Sequence, residues 1–222
     1  LLSYGRQLVD AYDFRSYVME FREQGGKGCN ITVPFKQEAW RLATERNSYA
    51  ERAKAVNTLM FRADGSIFGA NTDGLGLVRD LCVNQGRVLS GKRVLILGSG
   101  GAVRGALQPL LEQHPAEVFI ANRTAQTAID LAADFKALGV IEGGGFYDVT
   151  QRYDLIINGS AASLVGEVPP IPSTCLKPNT ACYDMMYGAS VTAFNQWALS
   201  QGAAKVIDGL GMLVGQAAKS FT

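Results

Sequence analysis

The residues able to do chemistry in this 222-residue chain fall into a few short runs. The first is Arg93-Val-Leu-Ile-Leu-Gly-Ser-Gly-Gly-Ala102, where the apolar stretch Val94 to Leu97 runs straight into Gly98, Ser99, Gly100, Gly101 and Ala102. A strand covered on both faces reads as continuous apolar sequence, and a helix opened by glycines points free N–H groups at an anion. Strand, glycine turn and helix in that order build the pyrophosphate site of a dinucleotide fold. Val103 occupies the place of the usual third glycine, and close packing of strand on helix is the alternative explanation of the turn. The second run closes the next predicted strand, 117–122, with Asn122, Arg123 and Thr124 and no carboxylate. A carboxylate there binds the ribose 2′-hydroxyl of NAD and repels a 2′-phosphate, whereas a guanidinium pairs with phosphate. The sequence therefore favours NADP over NAD, a solvated loop cation being the other reading of Arg123.

Lys36 and Asp73 are the remaining candidates. Lys36 lies in the first turn of a helix predicted after Pro34, where the positive end of the helix dipole disfavours a cation. It is either a surface lysine tolerated at small cost or a lysine placed to exchange a proton. Asp73 precedes a helical pattern of Leu75, Leu77, Val78 and Leu81, and is either its N-cap or a functional carboxylate at a helix mouth.

Composition narrows the classes. The formal net charge is +1 with no basic block, so neither nucleic acid nor an anionic membrane is an expected partner. No apolar run approaches the length of a membrane span. Cys29, Cys82, Cys175 and Cys182 form no CxxC pair and read as reduced, buried thiols of a cytoplasmic protein. The single histidine, His114, ends a helix beside Pro115, which argues against a Ser-His-Asp triad or a His-rich zinc site. Any acid or base is then Lys, Asp, Glu or Tyr, and no metal is expected.

The elements that must position these groups alternate in type. Residues 4–9 read as a strand, Asp13 caps a helix carrying Phe14, Tyr17, Val18 and Phe21, and 29–34 read as a second strand stopped by Pro34. A helix starts at 35, another covers 48–56, and Asp64-Gly65 turns a hairpin between 58–61 and 66–68. Residues 86–91 read as a linker. Beyond the glycine turn the pattern gives helices at 125–138 and 192–201 and strands at 140–141, 153–158, 181–185 and 206–209. The glycine-rich 142–145 reads as a surface turn, the proline-punctuated 169–178 as a segment over the coenzyme cleft or the surface, and 210–221 as a final helix.

Six ordered motifs now resemble one family. They are Asn30-Ile-Thr-Val-Pro-Phe-Lys36, Ala55-Val-Asn-Thr58, Asn71-Thr-Asp-Gly74, Gly98-Ser-Gly-Gly-Ala102, Asn122-Arg-Thr124 and Asp208-Gly-Leu-Gly-Met212. Together they closely resemble shikimate dehydrogenase, the NADP-dependent enzyme of aromatic amino-acid biosynthesis, over essentially the whole chain. The resemblance implies an α/β protein: an N-terminal α/β substrate domain (1–78), a Rossmann-like doubly wound parallel-sheet dinucleotide-binding domain (79–208), and a C-terminal helix (209–222) returning toward the first. It implies Lys36 and Asp73 as the catalytic pair, and Thr32, Asn57, Asp73 and Gln216 as ligands of ring hydroxyls. Tyr187 is similar to a tyrosine lining the substrate cleft. Gly98, Ser99, Gly100, Gly101, Ala102, Asn122, Arg123 and Thr124 are implied as coenzyme contacts, with Met185, Gly209 and Met212 on the nicotinamide side. From burial preference alone, Gln216 reads as an exposed polar position.

The implied reaction is reversible reduction of 3-dehydroshikimate to shikimate by NADPH, in a monomer or homodimer whose partners are small molecules. The alternatives are a quinate/shikimate dehydrogenase with relaxed NAD and NADP use, and a catalytically silent NADPH-binding module. The chain departs from the family pattern at Thr127, where a second phosphate-clamping arginine is usual, and at Asn158-Gly-Ser-Ala161, where Asn-Ala-Thr-Ser is usual. The family's opening strand and its Ser-x-Ser pair are not in the chain, which starts Leu-Leu and still reads as helix at Phe221. A piece of a longer protein is expected.

Overall fold

The computed structural model describes residues 3–10 and 12–221, and for residues 161 and 164 the backbone alone. The chain divides into two compact units, the first ending at Asn71 and the second beginning at Thr72.

The first unit holds α1 (Phe14–Glu23), β1 (Gly28–Asn30), α2 (Lys36–Leu42), β2 (Glu45–Arg46), α3 (Ser48–Ala53), β3 (Thr58–Phe61) and β4 (Ile67–Ala70). Its four strands lie in the order β1-β3-β4-β2, with β1 and β4 antiparallel to β3 and β2 parallel to β4. The β3–β4 turn falls at Asp64-Gly65 as expected: Gly65 has φ +91°, and Asp64 Oδ1 accepts from the backbone N–H and hydroxyl of Ser66. Phe14, Val18, Ile31, Ala39, Leu42, Leu59 and Ile67 form the core, and the Phe14 and Phe35 rings stack with centroids 4.9 Å apart.

Two expectations are corrected here. Residues 4–9 form no strand and are largely exposed, because Tyr4, Leu8 and Val9 do not alternate and so present no apolar face to a sheet. The strand expected over 29–34 stops at Asn30, after which 33–35 turn into α2. The two-residue β2 was not anticipated, being too short for a periodic signal.

The second unit is a six-stranded, wholly parallel sheet: β5 (Arg93–Leu97), β6 (Glu117–Asn122), β7 (Ile141–Gly145), β8 (Tyr153–Asn158), β9 (Leu176–Asp184) and β10 (Lys205–Ile207). The order β10-β9-β8-β5-β6-β7 means that the chain winds outward from β5 in one direction and, from β8, in the other. Side chains of β5 alternate between two layers. Val94 and Ile96 pack under α5 (Gly101–Leu111), α6 (Ala125–Phe135) and their neighbours, while Leu95 and Leu97 pack with Phe194 and Ala198 of α7 (Ala193–Ser200). All four are fully buried, which is why the run reads as unbroken apolar sequence.

The glycine-rich 142–145 is strand and not the expected surface turn, since Gly143 to Gly145 continue the parallel register against β6. A methyl group at Gly143 would strike the backbone of Ala128, so the missing side chains let α6 lie directly on the sheet edge. The segment 169–178 contributes Ile171 and Cys175 to the α7-side core and leads into β9, which begins earlier than expected. Residues 86–91 lie inside the second unit. So does α4 (Asp73–Arg79), which packs on α5 and on α8 (Leu210–Ser220) and continues into a π-helical turn, Asp80–Asn84. The division thus falls before α4, whereas the expected boundary lay after residue 78. Among the described residues no helix is long and apolar enough to cross a membrane.

Candidate active site

In the first unit, the backbone gathers three of the expected residues. The carbonyl of Lys36, the first residue of α2, accepts from Val56 N–H at 2.8 Å, and Ile31 N–H donates to the carbonyl of Asn57 at 2.7 Å. Thr32 follows Ile31 directly, so Thr32, Lys36 and Asn57 belong to one neighbourhood. Asn57 is buried, and its Oδ1 accepts from the Thr58 hydroxyl, which in turn accepts from Asn30 Nδ2. Asn30 Oδ1 takes the Tyr4 hydroxyl at 3.0 Å. This relay fixes which face of the Asn57 amide points where.

In the second unit, Asp73 is the first residue of α4 and only 5% exposed. Beside it, Thr72 Oγ1 donates to the backbone carbonyl of Gln216 on α8 at 3.0 Å. Gln216 is half-buried, which departs from the exposed position that burial preference gives it.

The glycine turn sits where β5 meets β8, the point at which the strand order reverses and where open α/β sheets bind ligands. Gly98 has φ +100°, and a methyl group there would lie 3.0 Å from Ser160 N and Cα. Gly100 opens α5 without a side-chain cap, and a methyl on it would meet nothing within 4 Å. A helix start without a side-chain cap, with room for backbone to be approached closely, suits a pyrophosphate. Arg123 and Thr124 are exposed after β6, with Asn122 at the strand end bonding Thr127. These residues fit an NADP-type dinucleotide.

Met185 and Gly209 are held together, since Gly209 N–H donates to the Met186 carbonyl and the Gly209 backbone abuts the carbonyl of Met185. Met212 is buried on α8. Tyr187 is 47% exposed.

A buried network that the motifs did not reveal braces this edge. Asp184, at the end of β9, accepts from Asn158 Nδ2 (3.1 Å), the Ser163 hydroxyl (2.8 Å) and Met186 N–H (3.1 Å). Asn158 Oδ1 accepts from Ser160 N–H and its hydroxyl. Both Asn158 and Asp184 are fully buried. The signal available in sequence was a polar residue ending each of two apolar strands, at the edge where such sheets bind ligands. Among the described residues no three His, Cys, Asp or Glu side chains come together as a metal site.

The chain also matches two family models, the shikimate dehydrogenase substrate binding domain over residues 2–59 and shikimate/quinate 5-dehydrogenase over 80–165. It is 56% identical over 221 residues to the shikimate dehydrogenase (NADP(+)) of Cellvibrio japonicus, covering 99% of this chain and 80% of that one. The chain belongs to the shikimate dehydrogenase family. Its backbone is similar to that of an Ael1 enzyme from Pseudomonas putida, with a TM-score of 0.87 at 42% identity over 96% of this chain and 78% of that one. A shikimate dehydrogenase structure from Thermus thermophilus, described in complex with NADP(H) and shikimate, matches with a TM-score of 0.80 at 29% identity over the same shares. Within the shikimate dehydrogenase family, the substrate-domain model ends at residue 59 and the dehydrogenase model begins at residue 80, so the helix carrying Asp73 falls in neither.

Proposed function

We propose that this protein reversibly reduces 3-dehydroshikimate to shikimate with NADPH. The observation that carries the reading is the likeness, at 56% identity over nearly the whole chain, to a curated NADP(+) shikimate dehydrogenase. The glycine turn, Arg123 and the Lys36–Asn57 neighbourhood are the chain's own support for it. NADPH, when bound, supplies the hydride. The residues proposed to hold it are Gly98, Ser99, Gly100, Gly101 and Ala102 at the pyrophosphate, Asn122, Arg123 and Thr124 at the 2′-phosphate, and Met185, Gly209 and Met212 at the nicotinamide.

The chain's own chemistry is then proton transfer and orientation. Lys36 stabilises the oxygen that gains charge and delivers its proton, while Asp73 accepts from a neighbouring ring hydroxyl and keeps the ammonium oriented. Thr32, Asn57 and Gln216 bind the remaining substrate hydroxyls, and Tyr187 lines the same cleft. We assign residues 1–78 to substrate and catalysis, residues 79–208 to coenzyme, and the C-terminal helix to the substrate side, in a cytoplasmic protein whose free thiols suit a reducing compartment.

The test is oxidation of shikimate with NADP by the wild type and by Lys36→Ala. Loss of a general acid lowers kcat by about a hundred- to ten-thousandfold, with NADPH affinity unchanged. Turnover surviving within a few-fold would refute the role of Lys36. A wild type that binds NADPH without turning over shikimate or quinate would make the protein a silent binding module. Thr127 favours one second reading, a dehydrogenase that also accepts quinate and NAD, because a hydroxyl replaces the usual second guanidinium. Activity ratios for the two substrates with each coenzyme decide between them.

A further inference from the structure

The Thr127 hydroxyl stands at the centre of a small set of hydrogen bonds. It donates to the carbonyl of Thr124 at 2.8 Å. A hydroxyl has one proton, so its other contacts must be acceptances. Asn122 Nδ2 therefore donates to it at 2.7 Å, and Ser99 Oγ donates to it at 3.0 Å. One oxygen thus ties the glycine turn after β5 to the loop after β6. Those are the two segments read above as the pyrophosphate and 2′-phosphate ends of the coenzyme site. Thr124 also caps α6 in extended conformation, and its carbonyl takes the Thr127 N–H and Asn122 Nδ2 as well. Backbone and side chain of residue 127 thereby fasten one carbonyl twice.

We propose that Thr127 is a positioning residue that sets the spacing between the glycine turn and the Asn122–Thr124 loop. Dinucleotide affinity then depends on its hydroxyl, although that hydroxyl does not itself contact the 2′-phosphate. Arginine, the usual residue at this position, carries only donors and cannot accept from Ser99 and Asn122. This chain has exchanged a ligand of the phosphate for a brace of the frame. The proposal rests on the coenzyme reading of the site.

It predicts a pattern that a direct phosphate contact would not give. Thr127→Val keeps the shape and removes the oxygen. Because the site is exposed, water can satisfy the released donors, and the loss is one of order. Binding of NADPH and NADH, followed by quenching of intrinsic fluorescence, weakens by the same factor, about three- to tenfold given the modest net worth of such bonds. Thr127→Ser retains the hydroxyl and restores both affinities to within about twofold on the same grounds. The KM for shikimate and the melting temperature stay at wild-type values in both variants. Unchanged dinucleotide affinity in Thr127→Val overturns the proposal. Weakened NADPH binding with NADH untouched also overturns it, since the hydroxyl would then be a phosphate ligand. A wild type that binds neither dinucleotide refutes the coenzyme reading itself, and the proposal with it.

Discussion

Replacing Gly98 by alanine tests the geometry of the glycine turn most directly. At φ +100° an alanine sits in a region that L-residues rarely adopt, at a cost of about 1–3 kcal/mol. Its methyl would also press on Ser160 N and Cα at 3.0 Å and on the Gly159 carbonyl carbon at 3.1 Å. Those atoms are backbone, and Asn158 holds Ser160 through two hydrogen bonds while itself bonded to buried Asp184. The neighbour cannot yield cheaply, so overpacking adds about 1–3 kcal/mol. A total near 4 kcal/mol lowers Tm by roughly 8–16 °C in a domain of this size. Gly86→Ala is the internal control: φ is +64°, and its methyl meets nothing within 4 Å. It pays only for conformation, about 1–2 kcal/mol. Thermal melts read the stability difference, and NADPH titration reads a loss of at least about tenfold for Gly98→Ala alone, a 1.4 kcal/mol effect. Equal destabilisation in the two variants, with equal NADPH affinity, would refute the argument that Ser160 limits the turn.

Other consequences can be measured separately. Arg123→Ala lowers the preference for NADPH over NADH by about 10–100-fold, the worth of charge-assisted hydrogen bonds, with NADH affinity unchanged in titrations. Tyr183→Phe removes the hydroxyl that donates to buried Asp80 at 2.8 Å, leaving Asn84 as a donor to that carboxylate. An under-satisfied buried carboxylate costs about 1.5–3 kcal/mol, read as a lower urea midpoint at constant slope. Burial pushes the thiols of Cys29 and Cys175 up to about 11 and that of Cys182 to about 12, from an ordinary 9.0. Above pH 9.0 the unfolded chain therefore binds fewer protons than the folded one, and stability falls as pH rises toward those values. Urea midpoints between about pH 8 and pH 10 show the decline, and Cys182→Ala makes it shallower.

The parts of the fold that were legible in sequence are those with a strong period or a hard constraint. Val94 to Leu97 read as a strand covered on both faces and Asp64-Gly65 as a tight turn, and both form as read. Glu142 to Gly145 misled because glycine marks turns in most contexts, and the reason for it here is a helix backbone at α6, distant in sequence. The π-helical turn at 80–84 was likewise invisible, and the contacts of Asp80 there, with Tyr183 and Gly211, are distant in sequence. Among the site residues, the glycine turn and Arg123 were candidates on charge and backbone chemistry alone, each with an alternative reading. Lys36 and Asp73 were candidates each with a plain structural alternative, and the resemblance raised them; Gln216 was singled out by the resemblance alone. The Asn158–Asp184 network escaped because a polar residue at each of two strand ends does not by itself say that the two pair.

Helix α4 places its two glycines toward different neighbours. A methyl on Gly74 would lie 2.5 Å from the carbonyl of Gly105 on α5, and one on Gly76 would lie 2.6 Å from main-chain atoms of Met212 and Gln216 on α8. Pro109 has no N–H to offer the Gly105 carbonyl, which leaves that oxygen free to face α4. At these two positions the helix is therefore a thin leaf set main chain against main chain, while Leu77 anchors it in the core. Asp73 inherits that stiffness, because the backbone from which its side chain springs is fixed at the first turn of the same helix. A single added carbon at 74 or 76 would shim the leaf and carry the acid out of register, with every atom of the acid itself unchanged.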